Sequence, residues 1–174
     1  EREFNMQPVL PAFAGHVLAA LKRIYPNIKT SKVSEWGGFA DQYRCTFLNP
    51  MDSLYAIIQK EYLTEQTRLY GTNHIYGIDP FNEIDPPSWD ADSLGMMAKH
   101  IYESVAAVDP EAVWLQMTWL FYADIKHWTT PRIKSYLRSV PQDKLILLDY
   151  FCEYTEIWKQ TDSYFGQPYL WCYL

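Results

Sequence analysis

Apolar residues in this chain fall into short continuous runs, separated by longer stretches in which they recur every three or four positions. Five runs read as strands: Pro8-Val-Leu-Pro-Ala-Phe-Ala14, His74-Ile-Tyr-Gly-Ile-Asp79, Ala112-Val-Trp-Leu-Gln-Met117, Lys144-Leu-Ile-Leu-Leu-Asp149 and Pro168-Tyr-Leu-Trp-Cys172. Between them the helical period appears. After Gly15, residues Val17, Leu18, Leu21, Ile24 and Tyr25 share one helical face. Asp52 is placed to cap a second helix whose apolar face is Leu54, Ile57, Ile58 and Tyr62, closed by Gly71. Asp90 starts a third, with Leu94, Met97, Ile101, Val105 and Val108, and Asp109-Pro110 stops it. Thr130 caps a fourth with Pro131 at its first position; Ile133, Tyr136, Leu137 and Val140 face one way before Pro141.

Strands alternating with helices, several of them continuously apolar, predict a parallel α/β architecture. A doubly wound sheet is the alternative, but neither a GxGxxG nor a GxxxxGK[ST] turn occurs. The strands end instead in polar or aromatic residues: Asp79 with Asn82 and Glu83, Thr118 with Trp119, and Asp149 with Tyr150. The C-terminal strand ends are where a (β/α)8 barrel keeps its chemistry. A full barrel needs about 250 residues, so this chain is expected to carry about five βα units of an incomplete TIM-type barrel. Residues 1–174 then form part of a single catalytic domain. A start at Glu1-Arg2-Glu3-Phe4 without Met, and a stop inside the apolar run before Leu174, read as truncation at the C-terminal end and at the N-terminal end also.

Composition narrows the function. Of 174 residues, 48% are hydrophobic and 17% aromatic, far from a disordered composition, and the net charge is −6. An acidic chain does not track nucleic-acid phosphates or bind membranes through a polybasic face, so a neutral polar partner fits better. Apolar stretches of about five to six residues are far short of the ~20 needed for a membrane-spanning helix. Cys45, Cys152 and Cys172 match no zinc or CxxC spacing and read as buried thiols. His16, His74, His100 and His127 are scattered, so no metal site and no cofactor are expected.

The densest chemistry is in Asp79-Pro-Phe-Asn-Glu-Ile-Asp-Pro-Pro-Ser-Trp89, which puts Asn82 and Glu83 just past a strand end in a stiff, aromatic loop. A carboxyl group shielded by Trp and Phe has its charged form disfavoured, as a general acid near neutral pH requires. Asn82 offers hydrogen bonds to a hydroxyl or amide. The bland reading is a solvated loop acid beside a turn former.

Six collinear blocks carry a resemblance: Pro8-Val-Leu-Pro-Ala-Phe-Ala-Gly-His16, Glu35-Trp-Gly-Gly-Phe39, Tyr70-Gly-Thr-Asn-His-Ile-Tyr-Gly-Ile-Asp-Pro-Phe-Asn-Glu83, Asp85-Pro-Pro-Ser88, Ala107-Val-Asp109 and Gly166-Gln-Pro-Tyr-Leu-Trp-Cys172. Together they resemble the α-N-acetylglucosaminidases of glycoside hydrolase family 89. The resemblance implies a (β/α)8 catalytic barrel that removes terminal α-linked N-acetylglucosamine with retention of configuration. It implies Glu83 as general acid/base, Asn82 as a sugar contact, and Trp36 and Trp119 as pocket aromatics, apt for packing on sugar C–H faces. Tyr150, at a strand end, is a weaker candidate for the same pocket.

Retaining hydrolysis needs a second carboxylate as nucleophile, and the resemblance puts it downstream of Leu174. The chain alone is therefore expected to be inactive. Asp149 and Glu153 lie near another strand end, but the family pattern gives neither that role. The rival reading is a non-catalytic N-acetylglucosamine-binding module; an unrelated endo-glycanase using Asn-Glu would instead have an open cleft. The implied partner is a glycan ending in α-linked N-acetylglucosamine, with no nucleic acid and no membrane span. The resemblance implies a lysosomal location in an animal, or export to the periplasm or cell surface in a bacterium, and the lack of an Asn-x-Ser/Thr sequon favours the latter.

Overall fold

A computed structural model describes residues 1–35 and 38–173. In chain order its elements are strands β1 (Leu10–Pro11) and β2 (His16–Val17), helix α1 (Leu21–Ile24), strands β3 (Thr30–Lys32) and β4 (Thr46–Leu48), helix α2 (Ser53–Tyr70), strand β5 (Ile75–Gly77), helix α3 (Ala91–Ala106), strand β6 (Val113–Met117), helices α4 (Trp119–Ala123) and α5 (Thr130–Arg138), strand β7 (Leu145–Tyr150), helix α6 (Ile157–Gln160) and strand β8 (Tyr169–Cys172).

The five expected strands form one parallel sheet in the order β1-β5-β6-β7-β8. Its register runs through Leu10 opposite Tyr76, Tyr76 opposite Trp114, Leu115 opposite Ile146 and Leu147 opposite Tyr169. Helices α2, α3 and α5 provide the crossovers that parallel neighbours need. On one face Trp114, Gln116, Leu145, Leu147 and Asp149 are buried; Gln116 accepts a hydrogen bond from Tyr136 of α5 at 3.1 Å, so this face looks toward the helices. Val113, Leu115, Met117, Ile146, Leu148 and Tyr150 on the opposite face are only half-buried. Strand β7, expected to be covered on both sides, is therefore fully buried on one side only among the described residues.

The helix ends follow their capping chemistry. Asp52 accepts from the Leu54 N–H at the start of α2, and Gly71 ends that helix at φ 68°. Asp90 accepts from the Ser93 N–H at the start of α3. At α5 the cap is Thr129, and Thr130 is already helical, one residue from the expected boundary. Helices α3 and α5 touch at Gly95, where an added Cβ would stand 2.6 Å from Ser139 Oγ and 2.7 Å from Ser135 Oγ.

Three further expectations fail. The helix read over residues 17–25 is mostly not there: β2 takes its beginning, α1 is a single turn, and Leu18 is 80% exposed. At Gly15, with φ 104°, the chain bends into a small antiparallel sheet, β2-β4-β3, and a Cβ there would be 2.5 Å from the Phe47 ring. The apolar face of α2 is also displaced. It buries Leu54, Tyr55, Gln59 and Leu63, while Ile57 is 56% exposed and Tyr62 41% exposed. The cysteines are free and none is buried: Cys45 is exposed, and Cys152 and Cys172 are half-buried. No helix among the described residues is long and apolar enough to cross a membrane.

Candidate active site

At its C-terminal end β5 passes from strand ladder to side-chain bonding. The Ile78 N–H still donates to the Leu115 carbonyl at 3.1 Å, and the buried Trp114 indole donates to the Ile78 carbonyl at 2.7 Å. One residue later the Asp79 carboxylate takes the Met117 N–H at 2.9 Å, tying β5 to the end of β6. Burial pushes the Asp79 carboxyl up to about 6, against the Met117 hydrogen bond, which favours its charged form. Pro80 then ends the strand, and Phe81, fully buried against Phe47 and Tyr136 at ring-centroid distances of 5.6 and 6.2 Å, anchors the loop that follows.

That anchor leaves Asn82 half-buried, with its side-chain carbonyl oxygen enclosed and lacking a partner among the described residues. Glu83 comes next, exposed and in the left-handed region at φ 56°, a conformation that costs a non-glycine residue ~1–2 kcal/mol. Among the bonds that hold it there are two to described residues. Its backbone carbonyl accepts from Ser34 Oγ at 2.8 Å, and its Oε1 accepts from the Trp119 indole at 2.8 Å.

Trp119 opens α4 immediately after β6 rather than ending the strand. Its half-buried ring lies 5.0 Å from Phe151, 5.1 Å from Tyr122 and 6.0 Å from Tyr150, centroid to centroid. Tyr150 ends β7, and its N–H donates to Thr118 Oγ1 at 3.0 Å, which laces β7 to β6 beneath the aromatic group.

Asn82, Glu83, Trp119 and Tyr150 thus come together, with Met117 and Phe151, around a hollow of about 310 Å³. Trp36 lies outside the described residues. A larger cleft of about 720 Å³ lies beside the hollow and, among the described residues, shares only Glu83 and Trp119 with it. Sequence reasoning placed Asp79 and Thr118 at strand ends without giving either a role, and did not single out Ser34 or Phe151.

Asp149 turns away from this hollow. It is fully buried on the helix-facing side of β7 and accepts from the Tyr164 hydroxyl at 2.6 Å; burial pushes its carboxyl up, against that hydrogen bond. Among the described residues no three His, Cys, Asp or Glu side chains are grouped so as to hold a metal ion.

Residues 1–174 match the model of the alpha-N-acetylglucosaminidase (NAGLU) tim-barrel domain. The chain belongs to that family. It is 43% identical over 174 residues to alpha-N-acetylglucosaminidase of Homo sapiens, with 99% of this chain aligned and 23% of the human protein. Two solved structures of a family 89 glycoside hydrolase from Clostridium perfringens share the fold. The one in complex with PUGNAc superposes with a TM-score of 0.76 at 21% identity, over 95% of this chain and 18% of that one. The one in complex with 2-acetamido-1,2-dideoxynojirmycin gives 0.79 at 22% identity, over 98% and 18%. The chain thus spans about a quarter or less of the length of the relatives it matches. The parallel sheet is the α/β sheet of a partial TIM barrel, and the family is one of glycosidases.

Proposed function

We propose that these residues supply the general acid/base and part of the sugar pocket of an exo-acting, retaining hydrolase that removes terminal α-linked N-acetylglucosamine from glycans. The observation that carries this reading is the placement of Glu83: just past a parallel strand end, fixed by the Trp119 indole, between two concavities. The terminal sugar takes the inner hollow. Asn82 has a free carbonyl oxygen for a hydroxyl or amide N–H, Trp119 and Tyr150 offer ring faces to the sugar C–H groups, and Met117 and Phe151 form an apolar niche suited to the N-acetyl methyl.

Glu83 donates its proton to the glycosidic oxygen as the C1–O bond breaks, while a second carboxylate bonds to C1 from the opposite face. Glu83, now ionised, takes a proton from a water whose oxygen attacks C1 as the bond from C1 to the second carboxylate breaks, freeing the sugar and leaving Glu83 protonated and the second carboxylate ionised, as at the start. The second carboxylate must lie about 5–5.5 Å from Glu83. Asp149 is directed into the helix layer and Asp79 is held by the Met117 amide; the resemblance to the family implies a nucleophile on a strand downstream of Leu174. On this reading no cofactor takes part. The substrate is a glycan chain, met in a lysosome in an animal or outside the cytoplasm in a bacterium.

The test is release of the aryl group from an aryl α-N-acetylglucosaminide by the whole protein that carries these residues. Hydrolysis with retention is expected, falling about 10²–10⁴-fold in Glu83→Gln, and the folded 174-residue chain alone should show none. Undiminished turnover in Glu83→Gln would overturn the assignment.

A further inference from the structure

Glu83 is gripped at both ends, from two different sheets. Trp119, at the C-terminal end of the parallel sheet, holds the carboxylate. The backbone is held from the small antiparallel sheet, where Ser34, just beyond β3, donates from Oγ to the Glu83 carbonyl at 2.8 Å across 49 positions of sequence. A bond to that carbonyl fixes the plane of the peptide leaving Glu83, and with it the ψ angle of a residue whose φ is 56°. Such a left-handed conformation persists only where the surroundings over-determine it, and outliers of this kind gather at sites whose geometry is part of their function.

Ser34 is firmly mounted. The β3–β4 ladder runs one step past β3, with the Val33 N–H donating to the Cys45 carbonyl at 3.1 Å. The Val33 carbonyl accepts from Arg44 Nε at 2.9 Å, and the Val33 side chain is buried. Arg44 is paired with one oxygen of Asp41 at 2.9 Å, and Lys32 of β3 takes the other. Phe47 of β4 packs on Phe81 at a centroid distance of 5.6 Å, so the sheet that carries Ser34 rests on the loop that carries Glu83. A chance surface bond would have neither a donor so fixed nor an acceptor in a strained turn.

We infer that Ser34 is a positioning residue for the reaction: it holds the Glu83 backbone in the turn that aims the carboxyl group at the glycosidic oxygen. It acts through Glu83 and rests on the reading of Glu83 as the acid/base. The consequence is confined to proton donation. A departing group that is stable as an anion needs little help from an acid, whereas a more basic one must be protonated as its bond breaks. A misaligned Glu83 therefore slows release of the second far more than release of the first.

The test compares kcat/KM of the whole protein for the phenyl and the 2,4-dinitrophenyl α-N-acetylglucosaminides, the first with the more basic leaving group. In Ser34→Ala the phenyl-to-dinitrophenyl ratio should fall about three- to tenfold, the effect of one hydrogen bond. In Ser34→Thr, which keeps a hydroxyl, it should stay within about twofold of the native ratio. A smaller folded fraction in either variant cancels from the ratio, so a merely structural role would leave it unmoved. A ratio unchanged in Ser34→Ala, or lowered equally in Ser34→Thr, would overturn the proposal. Failure of the native protein to cleave either glycoside, or full activity of Glu83→Gln on the phenyl glycoside, would instead overturn the function on which the proposal rests.

Discussion

The indole N–H of Trp119 donates to Oε1 of Glu83 across 2.8 Å, joining the residue that follows β6 to the loop that follows β5. A hydrogen bond to a charged group contributes ~1.5–3 kcal/mol, and here it also holds a carboxylate on a backbone in the left-handed region. Trp119→Phe keeps a ring that can lie against Phe151 and Tyr122 but removes the donor. A fall in kcat/KM of about ten- to a hundredfold is expected, with the thermal midpoint little changed. A drop below twofold would show that Glu83 is oriented by other contacts.

Asp79 makes folding stability depend on pH in a defined direction. Its carboxyl is raised from its ordinary 3.8 to about 6 because burial disfavours the charge. The folded protein therefore binds this proton more tightly than the unfolded chain. Its contribution is complete below the unfolded value and is lost as pH rises through about 6, a difference of about 3 kcal/mol. Asp79→Asn keeps an oxygen for the Met117 N–H and removes the titration. Denaturant unfolding at pH 4 and pH 7.5 should find the variant gaining on the native protein at the higher pH. A pH-independent difference would dismiss Asp79 as the titrating group.

The opposite sign holds at the other end of β5. Burial alone would raise the Asp109 carboxyl, but the Tyr76 hydroxyl at 2.7 Å, His74 Nδ1 at 2.8 Å and the Glu111 N–H at 3.1 Å outweigh it and hold it below its ordinary value. The stabilisation is present above the unfolded value of 3.8 and is lost as pH falls through the lower folded one. Asp109→Ala should cost about 1–3 kcal/mol at pH 7, and the loss should fade below about pH 4. An equal cost at pH 7 and pH 3 would show that packing, not the carboxylate, is what matters there.

The parallel sheet was legible because its strands are apolar runs set between helices with clear starts and stops, as at Asp90 and Pro110. The small antiparallel sheet was not, since strands of two or three residues leave no period to read, and the bend at Gly15 is fixed by the Phe47 ring packed against it. Helix α2 carries apolar residues on two faces, so periodicity alone could not choose between Ile57 with Tyr62 and Tyr55 with Leu63. At the site, residue types and strand-end position pointed to Glu83, Asn82 and Tyr150, and the family resemblance to Trp119. The left-handed turn at Glu83, its bond to Ser34 and the buried Asp79 arise from contacts between distant segments, which local patterns do not encode.

Gly95 tests how closely the helix layer behind the site is packed. In the middle of a helix, alanine is favoured over glycine by about 1 kcal/mol, so Gly95→Ala would stabilise α3 if the helix stood alone. Here the new Cβ would lie 2.6 Å from Ser139 Oγ, 2.7 Å from Ser135 Oγ and 3.1 Å from the Ser135 carbonyl oxygen. Ser139 Oγ can turn away only by weakening its own bond, since it donates to that same carbonyl at 2.7 Å. The carbonyl itself belongs to the backbone of α5 and moves only with the helix. Overpacking of this kind costs about 1–3 kcal/mol and outweighs the propensity gain. Gly95→Ala should therefore lower the stability measured by denaturant unfolding, and adding Ser135→Ala and Ser139→Ala should recover part of it. A single variant more stable than the native protein would mean that α3 and α5 can separate freely at this crossing.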